Sequence, residues 1–175
     1  VPPRRGLKRA LTRTLLALLT GATAAACISS PSPLEDTSPS PLALGNEVLA
    51  AVRRGNPAGL RRLAMQEREF RELVWPYLPA SRPERNLSFG YVWGDLAAKS
   101  EAHLRTLAAG FQDRPGLEVT GVRFAGASDR YGSVVIHRDT RLTVRDGDGR
   151  QYEVRLFGST LEQTGRYKVF SWVVD

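Results

Sequence analysis

One cysteine in 175 residues, Cys27, limits what this chain can use to hold a fold together. It closes a segment that carries Arg4, Arg5, Lys8, Arg9 and Arg13, then Leu15-Leu16-Ala17-Leu18-Leu19, then Ala24-Ala25-Ala26. Basic, then apolar, then small residues is the order of an export leader. The apolar part is too short to span a bilayer, which takes roughly 20 consistently apolar residues. With Cys27 placed at the leader's end, no thiol is left for a disulfide. Whatever folds beyond it must rely on packing alone.

The string Ala24-Ala25-Ala26-Cys27 resembles the lipobox of bacterial lipoproteins, and the resemblance covers the leader only. It implies a signal peptide over residues 1–26, a lipidated Cys27 carrying diacylglyceryl and palmitate-type chains, and a chain held on a membrane. That chain would face the periplasm or exterior of the cell envelope. The same three small residues also satisfy the ordinary secretory peptidase, so plain secretion stands as the alternative. Loss of the leader changes the charge argument. It removes five basic groups and no acidic ones, leaving 20 basic against 18 acidic groups. The formal +7 therefore belongs largely to the leader, and no basic stripe with interleaved aromatics argues for nucleic acid.

Residues 27–43 are rich in Ser and Pro (Ser29, Ser30, Pro31, Ser32, Pro33, Ser38, Pro39, Ser40, Pro41). Such a stretch has little to bury and few amides to pair, and is predicted to be a disordered tether. Residues 44–175 then have the size of one domain. Their first half has helical spacing. Leu44, Val48, Ala51 and Val52 lead to Gly55, and Asn56-Pro57 looks like a cap and first turn. A second stripe runs from Leu60 through Leu63, Phe70 and Leu73 to Tyr77, with Glu67 as a polar interruption. A third covers residues 92–111, with Trp93, Leu96, Leu104 and Phe111 on one face. Asp95 is a candidate cap near its start.

The second half alternates. Residues 131–145 read as one long or bulged strand, and Asp146-Gly147-Asp148-Gly149 as a hairpin turn. Further strands are predicted near residues 117–124, 152–156 and 166–174. The expected fold is α+β, with about three N-terminal helices packed on a curved antiparallel sheet of about four strands. That order resembles the nuclear-transport-factor-2-like and cystatin-like groups in architecture. The resemblance implies a cone that can hold a small apolar ligand.

Chemistry is thinly signalled. His103 lies beside an apolar helical stripe, and His137 on the polar parity of its strand near Asp139. Neither sits in H-E-x-x-H spacing, and no G-x-S-x-G elbow or phosphate loop is present. The Asp146 loop lacks the later ligands of a calcium site. No catalytic residue, metal site or cofactor is assigned. The densest feature is the segment 74–96, where Trp75, Tyr77, Arg82, Arg85, Phe89, Tyr91 and Trp93 form a candidate binding surface. The same aromatics would also pin a long loop.

These readings favour a non-enzymatic binding or interaction module of the cell envelope. Its expected partners are the membrane, through the N-terminal lipid, and an envelope protein. One alternative is a small-molecule-binding or isomerase- or hydrolase-like enzyme with a cone-shaped pocket. Another is a structural subunit of an envelope assembly, which an exposed aromatic patch would favour.

Overall fold

The computed structural model describes residues 33–110 and 116–174, without the side chains of residues 108–110. Cys27 and Phe111 lie outside the described residues. Helix α1 (Pro41–Arg53) starts inside the predicted tether. Ser40 Oγ accepts a hydrogen bond from Ala43 N at 3.1 Å, and Pro41 sits in the first turn, where its missing N–H costs nothing. Leu44, Val48, Leu49 and Val52 form its buried face. Gly45 allows close approach to the sheet below, since a Cβ there would stand 3.2 Å from Val119 Cγ1. Helix α2 (Pro57–Leu63) is capped by Asn56, whose Oδ1 accepts from Gly59 N at 2.9 Å.

The second predicted stripe is not one helix. After Leu63 the backbone turns extended at Ala64 (φ −91°, ψ 153°), and Met65 N donates to Val169 O at 2.8 Å. Three residues of helix α3 (Glu67–Glu69) follow and run into a π-helical turn, Phe70–Val74, which stops before Pro76. Glu67 is no interruption of a buried face. It is exposed and pairs with Arg71 at 2.7 Å. Short 3-10 turns carry the chain to helix α4 (Phe89–Gly110).

Among the described residues seven strands follow: β1 (Glu118–Phe124), β2 (Ser128–Tyr131), β3 (Val134–Arg138), β4 (Thr140–Arg145), β5 (Gln151–Val154), β6 (Ser159–Gln163) and β7 (Arg166–Ser171). They form two antiparallel sheets, ordered β1-β4-β5 and β2-β3-β6-β7. This corrects the predicted fold class. Among the described residues the α-helices number four and lie mid-chain, the strands number seven, and neither sheet is curved or closed. The resemblance in architecture rested on a single bent sheet, which does not form.

The physical reasons are local. The stretch predicted as one strand over residues 131–145 is broken at Asp139, whose φ of 50° leaves the extended region. Its two halves, β3 and β4, join different sheets. Gly132 has φ 54° and opens the two-residue β2–β3 turn, with Tyr131 opposite Val134. Thr164 and Gly165 both have positive φ in the β6–β7 turn, the pattern of a type I′ hairpin. The Asp146 turn forms where it was predicted. Asp146 Oδ1 accepts from Asp148 N at 3.0 Å and Arg150 N at 2.9 Å.

Strand β7 is the edge of its sheet, and it is covered. Ser38 exchanges two backbone bonds with Tyr167 (2.8 and 2.9 Å), and Met65 bonds Val169. An open row of strand amides would otherwise invite pairing with another chain. Residues 34–40, assigned above to the disordered tether, are thus part of the fold. Ser38 is fully buried, and Leu34 N donates to Gln163 Oε1 at 2.9 Å.

Glu69 and Lys168 tie this arrangement together. Lys168 is 0% exposed and Glu69 3%. Lys168 Nζ lies 3.0 Å from each Glu69 carboxylate oxygen and 2.9 Å from Glu35 O. The carboxylate also accepts from Glu35 N at 2.9 Å and Gln66 N at 2.7 Å. A buried charge survives only when paired and hydrogen-bonded, and here every demand is met.

The expectation of a membrane protein is corrected for the folded part. Among the described residues no helix is long and apolar enough to cross a membrane. A lipid on Cys27 would need no such helix.

Candidate binding surface

The segment between the π-helical turn and α4 takes its shape from three prolines. Pro76, Pro79 and Pro83 each stand in the first turn of a 3-10 helix, Trp75–Tyr77, Pro79–Ser81 and Pro83–Arg85. Leu78 and Arg82, each preceding a proline, are extended (ψ 141° and 136°), as steric contact with the proline ring requires. Asn86 (φ 49°) ends the series. Ser88 Oγ then accepts from Tyr91 N at 3.2 Å, and α4 begins. Asp95 is therefore not the cap. It lies further along the helix, exposed, and pairs with Lys99 at 2.7 Å.

This path divides the seven predicted surface residues into two groups. Trp75, Phe89 and Trp93 turn inward around buried Phe70, with ring centroids 6.5, 5.9 and 5.5 Å from it. Trp75 meets Phe89 edge-on at 5.7 Å, and the Arg71 guanidinium sits 3.7 Å over the Phe89 ring. These three pin the loop to the core.

Tyr77, Arg82, Arg85 and Tyr91 face outward. Tyr77 is 56% exposed, yet its ring edge lies against the β2–β3 turn, where a Cβ on Gly132 would come within 2.4 Å of it. Arg82 and Tyr91 line a hollow of about 520 Å³ with Ser81, Pro83, Asn86, Leu87 and Ser88. Arg85 is exposed beside it and is not part of the lining. Neither Arg82 nor Arg85 has an acidic partner among the described residues. Leu87 was absent from the predicted set. Its signal was available, an isolated leucine between Asn86 and Ser88 with no helical or strand neighbours to share a face.

A second polar arrangement was not legible in the sequence. His137 Nδ1 lies 2.8 Å from Ser128 Oγ, and its Nε2 lies 2.7 Å from Glu162 Oε2. Hydroxyl, imidazole and carboxylate in line is the order of a nucleophile, its base and an orienting group. Phe124, however, stacks flat on the imidazole at 4.2 Å and 7°. None of the three residues lines the hollow at Arg82. Strand register explains the line. Ser128 is the cross-strand partner of His137, and Glu162 lies diagonally across on β6. Tyr167 extends it on β7, where burial, and then the Glu162 charge, push its phenol above its ordinary pKa. His103 is half-buried on α4. Among the described residues no group of three or more His, Cys, Asp or Glu is placed to hold a metal ion.

On the β1-β4-β5 sheet, Arg141 bridges Asp139 (3.0 Å) and Glu153 (2.8 Å), with Arg123 on Glu153 (2.8 Å) and Arg155 on Asp139 (3.0 Å). Hydrogen bonds from Arg141 hold both carboxyls below their usual range, and Arg141 itself is raised. These charges satisfy one another. Arg82 and Arg85 differ in having none to satisfy.

Compared with protein-family models, curated proteins and solved structures, the chain matches none.

Proposed function

We propose that this chain is a non-enzymatic interaction module of the cell envelope, and that residues 77–91 receive an extended, acidic segment of another envelope protein. One observation carries the reading. Of the four exposed large hydrophobics among the described residues, Tyr77, Leu87 and Tyr91 fall on this segment, and only Leu42 lies elsewhere. Leu87 and Tyr91 line a hollow whose one charged lining group, Arg82, has no acidic partner among the described residues. Exposed rings offer contact area at little conformational cost, and a guanidinium pairs a carboxylate through two parallel bonds. The address rests on the leader ending at Cys27. A lipid there would hold the domain at a membrane surface. Such a lipid would add acyl mass to an N-terminal fragment beginning at Cys27, and an unmodified fragment would favour secretion.

The interaction is tested with fluorescent acidic peptides, each carrying one large apolar residue, in a polarisation assay. Arg82→Glu and Tyr91→Ala should each weaken binding by about tenfold or more while leaving the unfolding midpoint unchanged. Added salt should weaken the parent complex. Equal binding by parent and variants, or no binding of any acidic peptide, would overturn the reading.

A further inference from the structure

An edge strand turns every second pair of its backbone groups away from the sheet, where another strand can take them. The edges here are β2 and β7 of one sheet and β1 and β5 of the other. Strand β7 is covered by Ser38 and Met65. On β1 the Asn46 side chain takes both outward groups of Val119, donating to its O at 3.1 Å and accepting from its N at 3.1 Å. The remaining edge rows have no hydrogen-bond partner among the described residues.

Ladder alternation says which residues form those rows. Ala125 N donates to Asp139 O, so the backbone groups of Arg123 face β4 and those of Val122 and Phe124 face out. Arg138 N donates to Ala127 O, so Asp129 bonds β3 and Ser128 and Arg130 face out. Asp146 N donates to Arg150 O, so Tyr152 and Val154 bond β4 and Gln151 and Glu153 face out. The β1 and β2 rows belong to different sheets, with the bend at Asp139 between their partner strands, and no straight strand spans both.

Two identical edges join antiparallel about a two-fold axis. An axis midway between the two outward residues engages all their N–H and C=O groups, and sets the residue between them opposite its own copy. On β1 that residue is Arg123 and on β2 it is Asp129. Like charges directly opposite are destabilising. On β5 it is Tyr152, and aromatic rings opposite one another are favourable. Tyr152 is half-buried and already packs against the core under α1. The same axis sets the Gln151 amide opposite Glu153 of the second copy, a carboxylate whose charge is matched by Arg123 and Arg141 at 2.8 Å each. We infer that two copies of this chain join through their β5 edges, making one continuous sheet in the order β1-β4-β5-β5-β4-β1. The joint needs neither a lipid on Cys27 nor the hollow at Arg82.

Sedimentation equilibrium of the full chain should show monomer and dimer, with a dissociation constant below about 1 mM. Gln151→Pro removes an outward N–H and no bond to β4, a place where an edge strand tolerates proline. It should raise that constant at least about tenfold with the far-UV circular dichroism unchanged. A chain carrying Cys27→Ser and Tyr152→Cys tests the register whether or not the proline variant folds. Directly opposed residues of a non-hydrogen-bonded pair stand about 4.5 Å apart at Cα, within disulfide reach, so oxidation should give a covalent dimer. The same chain with Arg123→Cys or Asp129→Cys in place of Tyr152→Cys should stay monomeric under oxidation. A parent that sediments as monomer throughout would overturn the inference. So would a folded Gln151→Pro chain that dimerises as tightly as the parent, or cross-linking at Arg123→Cys or Asp129→Cys as complete as at Tyr152→Cys.

Discussion

Replacing Lys168 by Met removes the one charge that matches the buried Glu69 carboxylate. Met fills similar volume, so the apolar contacts of the side-chain stem are largely kept and the loss is electrostatic. Glu69 retains its bonds from Glu35 N and Gln66 N, but loses Nζ at 3.0 Å from both oxygens, and Glu35 O loses a donor at 2.9 Å. Removing one partner of a buried pair costs about 3–5 kcal/mol, because the other charge is left without compensation. That is a large share of a domain's total stability of about 5–15 kcal/mol. The double variant Glu69→Gln, Lys168→Met should recover at least about 1 kcal/mol of the loss. The amide oxygen keeps an acceptor for one of the two backbone donors, its NH2 faces the other, and no charge is buried. Urea unfolding followed by tryptophan fluorescence measures both, with an unchanged m value as the condition for comparison. If Lys168→Met costs less than about 1 kcal/mol at constant m, or the double variant is no more stable than the single one, the pair does not carry the burden assigned to it.

Three further outcomes follow from local geometry. Gly158→Ala should destabilise by about 3 kcal/mol, since its Cβ would fall 1.7 Å from Val173 O and only backbone movement can relieve that contact; thermal unfolding reads it directly, and a neutral result would mean the β6 approach is looser than described. Ser40→Ala should cost about 1 kcal/mol in urea through loss of the α1 cap. Asp139 and Glu153 have depressed folded-state pKa values, so their contribution is present above the unfolded values near 4 and is lost as pH falls through the folded ones. Asp139→Asn, which tolerates the same positive φ, should therefore lose stability less steeply with acid than the parent. High salt should narrow the difference between them, because both carboxyls are partly solvated. Parallel acid profiles at low salt would refute the network's role.

What the sequence made legible was whatever depends on neighbours a few residues apart. The α1 stripe, the Asn56-Pro57 start and the Asp146 turn are set by local spacing and local hydrogen bonds, and each forms where it was predicted. The crowding of large aromatics in residues 74–96 was visible too. Its division into an inner group around Phe70 and an outward-facing group, of which Arg82 and Tyr91 line the hollow, was not, because it depends on the path that the prolines impose on the whole segment. Fold class failed at single residues whose conformation is decided by partners far away. Asp139 splits an alternating stretch by taking a positive φ, and Ala64 leaves a helical stripe to meet Val169.

Residues 34–40 show the same limit from the other side. Ser, Pro and acidic residues read as a solvated tether because nothing in their composition can form a core. They fold because they are wanted by something else: β7 presents amides that need partners, and Lys168 needs a carbonyl as well as a carboxylate. Lys168 stands on the parity of Phe170 and Trp172, where a cation among apolar positions is the one clue the sequence held. Followed through, that clue predicts a buried acid elsewhere in the chain and a backbone segment to complete the cage. Glu69 and the Leu34–Ser38 stretch meet those demands. The polar composition that made the segment look dispensable is what lets it satisfy a buried charge and close a sheet edge at once.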